Sequence, residues 1–221
     1  MRGNKHSFWQ ALVIALIIFW TGILVGVFFE HARVQKASNF YFDSETEIFD
    51  FELISDIVSE SNLSCSEINY KSIEFADKIY QGCMKLEKYD NSNKITGEII
   101  SLHRRYDLLR TMLWKEIIQN KKRCPDEINT IVYLYQYKDP TINLRATQST
   151  ISNYLTDIKK EYGDNVILIP IAADTDIGSL NILRDIYGLD SIPTVFVNEE
   201  LKIDNLNNLN KIESSLNLGN N

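Results

Sequence analysis

From Phe8 to Phe29 the chain runs 22 residues in which Gln10 and Thr21 are the only strongly polar members. At about 1.5 Å of rise per residue a helix of that length matches a hydrocarbon core of roughly 30 Å, so this stretch is a transmembrane helix candidate. A cleaved signal peptide is the rival reading. It fits less well, because the run outlasts the usual apolar region of roughly 7–15 residues and no small-x-small site follows Phe29. Phe8, Trp9, Phe28 and Phe29 bracket the span as interfacial aromatics do. Within it, Gly22 and Gly26 match GxxxG, which would let a second copy pack closely as a homodimer; two tolerated glycines is the alternative.

Charge is distributed unevenly about this segment. The first 29 residues hold Arg2 and Lys5 and no acid, so the rest of the chain carries all 30 Asp and Glu and gives the protein its net charge of −7. An acidic body without a basic stripe argues against nucleic acid as a partner. Lys121-Lys122-Arg123 reads instead as the basic end of a helix. Orientation is nearly tied, Arg2 and Lys5 facing Arg33 and Lys36 across the span. The amino terminus and the missing acids tilt the expectation towards a single-pass protein whose soluble body is extracytoplasmic.

Residues 43–58 carry Ile48, Phe49, Phe51, Leu53, Ile54, Ile57 and Val58 in a pattern closer to an amphipathic helix than to a strand. Ser64-Cys65-Ser66-Glu67 then has the form of a capping box, and Ile68, Phe75, Ala76, Ile79, Cys83 and Leu86 follow at helical spacing. Asn91-Ser92-Asn93 breaks the pattern. A second long helix presents Leu102, Tyr106, Leu109, Leu113 and Ile117 on one face, ending near Lys122, so the two predict an antiparallel hairpin. His103, Arg104 and Arg105 are expected on its solvated face.

The last third of the chain changes period. Strands are predicted at 128–135, 166–171, 191–197 and 201–204, with helices at 141–162, 174–187 and 206–216. Pro193 opens the third strand, where a missing amide donor is tolerated. The order is β-α-β-α-β-β-α, and Ser191-Ile192-Pro193-Thr194 sits at its one αβ join ahead of a hairpin. On these grounds residues 126–218 resemble the thioredoxin-like superfamily, which carries a cis-proline at that join. The fold class expected is therefore α/β, in three parts: a transmembrane anchor over 1–30, a helical hairpin region over 31–125 and a thioredoxin-like domain over 126–221.

The resemblance implies a C-x-x-C motif after the first strand, at a helix N-terminus that lowers the thiol pKa. The matching segment, residues 137–145, contains no cysteine, and Thr141 and Leu144 stand near the two thiol positions. No catalytic residue is therefore assigned. Cys65, Cys83 and Cys124 lie outside this segment and lack metal-ligand spacing, so neither a metal nor another cofactor is expected. Cys65 and Cys83 are separated by about 27 Å of helix and cannot bridge. The hairpin's near-equal arms bring Cys124 back to Cys65, which predicts a Cys65–Cys124 disulfide and a buried Cys83 thiol.

The function implied is a redox-inactive, membrane-tethered module that binds an extended polypeptide or acts as a scaffold. Its expected surface comprises Ser191, Ile192, Pro193, Thr194 and the helix entry at Thr141. Two alternatives stand beside it: a thiol-disulfide oxidoreductase or isomerase drawing a cysteine from the helical region, and a purely structural envelope protein working through its helical hairpin.

Overall fold

A computed structural model describes residues 3–90, 97–125 and 128–217. They belong to two compact units, Met1–Thr46 and Glu47–Asn221. Helix α1 (Gly3–Glu60) begins in the first unit. Its Phe8–Phe29 stretch buries none of its residues against the protein and is long and apolar enough to cross a membrane. A Cβ added at Gly22 or Gly26 would meet nothing within 4 Å, so both positions present bare backbone.

In the second unit the end of α1 packs on α2 (Cys65–Asp90) and α3 (Gly97–Arg123). The helix expected over 43–58 is thus the last part of α1 and not an element of its own. Phe51 and Val58 are buried, and Phe51 stacks on Phe75 of α2 with ring centroids 3.8 Å apart. The junction between α1 and α2 is held from several sides. Ser64 and Glu67 form the reciprocal capping box, Ser64 N–H donating to Glu67 Oε2 (2.9 Å) and Glu67 N–H to Ser64 Oγ (3.4 Å). The Ser64 hydroxyl also donates to Glu67 Oε2 (2.7 Å), and that bond, with the one from Ser64 N–H, holds the Glu67 carboxyl below its ordinary pKa. Arg123, the last residue of α3, donates to the carbonyls of Val58, Ser61 and Leu63, capping one helix while closing the next loop. Beneath it Cys65 and Cys124 form a disulfide with a Cα–Cα distance of 5.5 Å, as the equal hairpin arms predict. The Asn91–Asn93 break lies outside the described residues, as does the Leu86 side chain.

The sheet has the order β2-β1-β3-β4. Strands β1 (Asn129–Tyr135) and β2 (Val166–Ala172) run parallel in register, from Asn129 opposite Val166 to Tyr135 opposite Ala172. Strand β3 (Thr194–Val197) pairs antiparallel with β1, placing Thr194 opposite Leu134, and β4 (Leu201–Ile203) pairs antiparallel with β3. β1 is therefore central, which explains its uniformly apolar sequence. The long crossover from β1 to β2 is α4 (Ile142–Tyr162), closed by Gly163 at φ 53°. Its Ile151, Leu155 and Ile158 pack on Ile131, Tyr133, Val195 and Val197.

The opposite face of the sheet is covered by α3 and α5 (Gly178–Tyr187). Trp114 of α3, Tyr187 of α5 and Phe196 of β3 form an aromatic triad with centroids 5.2–6.3 Å apart. The division expected after residue 125 accordingly falls inside one compact unit, since α3 belongs to the core of the α/β layer as much as to the hairpin.

Three elements differ from expectation. The final helix over 206–216 is split into a 3-10 turn at Leu206–Asn208 and α6 (Lys211–Ser214). Asn205, Asn207, Asn208 and Asn210 offer the backbone competing polar groups, yet Leu209, Ile212 and Leu216 still reach the core. Helix α5 starts at Gly178 rather than Asp174, because residues 174–176 form a turn with Asp176 at φ 58°. Strand β3 starts at Thr194, three residues later than the apolar run suggests.

Candidate functional site

The pairing of Leu134 with Thr194 fixes which residues share an end of the sheet. β1 leaves that end towards α4, and the 191–193 segment enters β3 from it. Of the expected surface residues, Ser191, Ile192 and Pro193 are half-buried, and the Ile192–Pro193 peptide is cis. Thr194 is different: it is fully buried, and its hydroxyl donates to Ser191 O (2.6 Å) while meeting Ser191 Oγ at 3.1 Å. Thr194 holds the segment's shape and offers nothing to a ligand. Thr141 is exposed and caps α4, its Oγ1 accepting from Leu144 N–H at 3.3 Å. That hydroxyl satisfies one of the open amides of a 21-residue helix whose dipole favours an acceptor there. Next to it Ile142 is 88% exposed.

Between β1 and Thr141 the backbone is held by side chains in place of a ladder. Gln136 N–H donates to Gln148 Oε1 (2.9 Å), and Gln148 Nε2 returns a bond to Gln136 O (3.0 Å). Asp174 accepts from two successive amides, Tyr137 N–H (2.9 Å) and Lys138 N–H (2.6 Å). This is why the chain after β2 turns at Asp174 before it can form a helix. The basic cluster expected on a solvated face joins the same end: His103 stacks on Tyr137 at 4.2 Å, and Arg104 donates to Asp176 O at 2.8 Å. His103 and Arg105 are half-buried, so only Arg104 keeps the expected exposure.

Below these loops lies a buried polar cluster. Asp107 of α3 is fully buried, its Oδ1 accepting from Arg110 Nη1 (3.2 Å) and Ala172 N–H (3.2 Å). Burial raises its pKa to about 6, opposed by the Arg110 guanidinium. Arg110 also donates from Nη2 to Cys83 Sγ at 3.0 Å. Tyr135 stands beside them, its phenol pushed well above the ordinary range by burial. Sequence reasoning placed Cys83 on a buried face, where it is, but missed Asp107, Arg110 and Asp174. An acid and an arginine three residues apart, flanking the apolar stripe of Tyr106 and Leu109, were the available signal.

The exposed end of the sheet thus presents a proline segment and a capped helix N-terminus, with Thr141 as the cap and Leu144 N–H as the amide it receives. Among the described residues no group of three or more His, Cys, Asp or Glu is placed to hold a metal ion. No protein-family model, no curated protein and no solved structure matches this chain.

Proposed function

We propose that this chain is a single-pass membrane protein whose body is a thioredoxin-like module without the family's dithiol, holding an extended polypeptide at the 191–193 segment and the α4 N-terminus. The observation that carries the reading is the topology. The chain order β-α-β-α-β-β is the one the resemblance implies, and a mixed sheet in the order β2-β1-β3-β4 with only β3 reversed puts the 191–193 segment and the α4 N-terminus at one end. Ser191, Ile192 and Pro193 would meet the polypeptide, Thr194 would shape them, and Thr141 would maintain the helix entry beside them. The Cys65–Cys124 disulfide supports an extracytoplasmic body, because such bonds persist in oxidising compartments.

A hairpin acting through its Leu102 face is disfavoured, since Leu102, Tyr106, Leu109, Leu113 and Ile117 are all buried. The test uses the full chain in detergent with photo-reactive benzoylphenylalanine at Ile192 or, as a control, at exposed Tyr80, and an unfolded, S-alkylated test polypeptide. Crosslinks from position 192 and none from 80 are expected. Equal labelling, or none at 192 in a folded protein, removes the binding assignment. Insulin reduction above background, abolished by Cys83→Ser, would favour an oxidoreductase instead.

A further inference from the structure

Where the end of α1 meets α2 and α3, the packing leaves a cavity of about 190 Å³. Its apolar walls are Phe51, Ile54 and Val58 of α1 with Ile68 and Phe75 of α2, the stacked Phe51–Phe75 pair among them. The α3 side is polar: Glu116 and, one turn on, Asn120 both line the space. Glu116 is 6% exposed. Among the described residues its carboxylate receives one hydrogen bond, from the Ser55 hydroxyl to Oε2, and Oε1 has no partner. The other donors of this wall are spent within the protein. Ser72 Oγ donates to Ile68 O (3.2 Å) and Asn120 Nδ2 to Ser72 Oγ (3.4 Å), which leaves Asn120 Oδ1 as a second acceptor. The lysines of the rim are engaged elsewhere. Lys71 Nζ meets Glu74 Oε2 at 2.9 Å, and Lys78 acts on the same Glu74 carboxylate. A buried carboxylate with one oxygen unpaired carries a desolvation cost that a bound donor relieves, most fully a donor with a positive charge.

We propose that this cavity binds a small organic cation, a primary ammonium on a single ring, with the ammonium on Glu116 and Asn120 and the ring against Phe51, Val58, Ile68 and Phe75. Size sets the upper limit. An apolar cavity of roughly 150 Å³ holds benzene, so about 190 Å³ takes one ring with a short arm and excludes a lipid or a peptide. Charge sets the class. A ligand carboxylate would place a second anion beside Glu116, and a neutral alcohol would donate to Oε1 without answering its charge. Water would satisfy the acceptors on α3 but gain nothing from the five apolar side chains opposite. The site lies among the helices, and this inference does not depend on the polypeptide-binding reading.

The test uses the full chain in phosphatidylcholine nanodiscs, so that no detergent competes for the cavity, with empty discs as the partition control. Binding of para-fluorobenzylamine at neutral pH is followed by fluorine NMR titration, beside para-fluorobenzyl alcohol and para-fluorobenzoate. Saturable binding of the amine at one site is expected, with a Kd at or below about 1 mM, about tenfold tighter than the alcohol, and no binding of the benzoate. Glu116→Gln keeps the shape and an acceptor for Ser55, and should weaken the amine about tenfold while leaving the alcohol within about twofold. Ile54→Trp, at a half-buried position of the wall, should fill the space and weaken both. The comparison of the three ligands on wild type decides alone if neither variant folds. Amine uptake no greater than that of empty discs, an alcohol or benzoate bound as tightly as the amine, or an amine affinity unchanged in either folded variant overturns the proposal.

Discussion

Glu199 occupies a position where its backbone and its side chain pull in opposite directions. In the turn between β3 and β4, Asn198 and Glu199 have φ of 51° and 59°, and Glu200 N–H donates to Val197 O at 3.0 Å. A residue other than glycine pays about 1–2 kcal/mol for the left-handed region. The carboxylate offsets that cost: it is 12% exposed and accepts from Lys121 Nζ (2.6 Å) and Trp114 Nε1 (3.2 Å), fastening the hairpin to α3. Glu199→Ala keeps the backbone cost and loses both contacts. Removing one partner of a buried pair costs about 3–5 kcal/mol. Lys121 is 22% exposed and can turn to water, which reduces that to about 2 kcal/mol. The stranded indole N–H adds about 1 kcal/mol, giving roughly 3 in all. Glu199→Gly loses the same contacts and recovers about 1 kcal/mol at φ 59°, so the expected stability order is Glu, then Gly, then Ala. For a unit of this size 1 kcal/mol is worth about 2–4 °C in Tm, so alanine should lower it by about 6–12 °C. Thermal unfolding in detergent, followed by circular dichroism and tryptophan emission, reads this directly. Alanine within about 0.5 kcal/mol of wild type, or glycine below alanine, would refute the reasoning.

Three further outcomes follow from named contacts. The disulfide closes a loop of 59 residues, worth about 4 kcal/mol on the chain-entropy model, so Cys65→Ser or Cys124→Ser should lower Tm by about 8–16 °C, and a dithiol reductant should do the same to wild type. Asp107 binds its proton more tightly folded, at about 6, than at its ordinary 3.8, so its contribution is fully present below pH 3.8 and is lost as pH rises through 6. That is about 3 kcal/mol, and Asp107→Asn should flatten the stability profile across this window in urea titrations at stepped pH. Asp174→Ala should cost about 1–2 kcal/mol and speed hydrogen exchange at the Tyr137 and Lys138 amides, with little change at Gln136, whose amide bonds Gln148.

Legibility in the sequence tracked the range of the interaction. Period and punctuation located every strand and the two hairpin helices, because apolar spacing, the Ser64–Glu67 box and the glycines at 163 and 188 act within a few residues. The cysteine pairing was equally open to reading, since helix length alone excludes Cys83 and joins the two ends. Long-range contacts were hidden. Asp174 reads as a helix start until Tyr137 and Lys138, 37 and 36 residues away, claim its carboxylate. His103 and Arg104 read as a solvated face until the loops after β1 and β2 close over them. Thr194 looked like surface because its neighbours are, while its hydroxyl faces inward to Ser191. Around the Ile192–Pro193 join, then, the sequence picks out the segment, and the structure adds which of its side chains are buried and which are not.

Gly82 shows the same limit and turns it into a measurement. On helix propensity alone Gly82→Ala should stabilise α2 by about 0.8–1 kcal/mol. In the folded protein the added Cβ would lie 2.5 Å from both Cε1 and Oη of Tyr106 and 2.8 Å from Cζ. Tyr106 is 4% exposed, so its ring cannot swing into solvent, and the clash must be relieved by parting α2 from α3. Overpacking of that kind costs about 1–3 kcal/mol, which outweighs the propensity gain, so the net expectation is a loss of about 1 kcal/mol. Tyr106→Leu creates its own cavity, but on that background Gly82→Ala should be neutral or stabilising. The difference between the two backgrounds measures the contact without reference to either single effect. A Gly82→Ala protein with a higher Tm than wild type would mean that the helices part at little cost. Arg110 of α3 would then be free to move away from the sulfur of Cys83 on α2, and faster iodoacetamide labelling of Cys83 in that variant would show it.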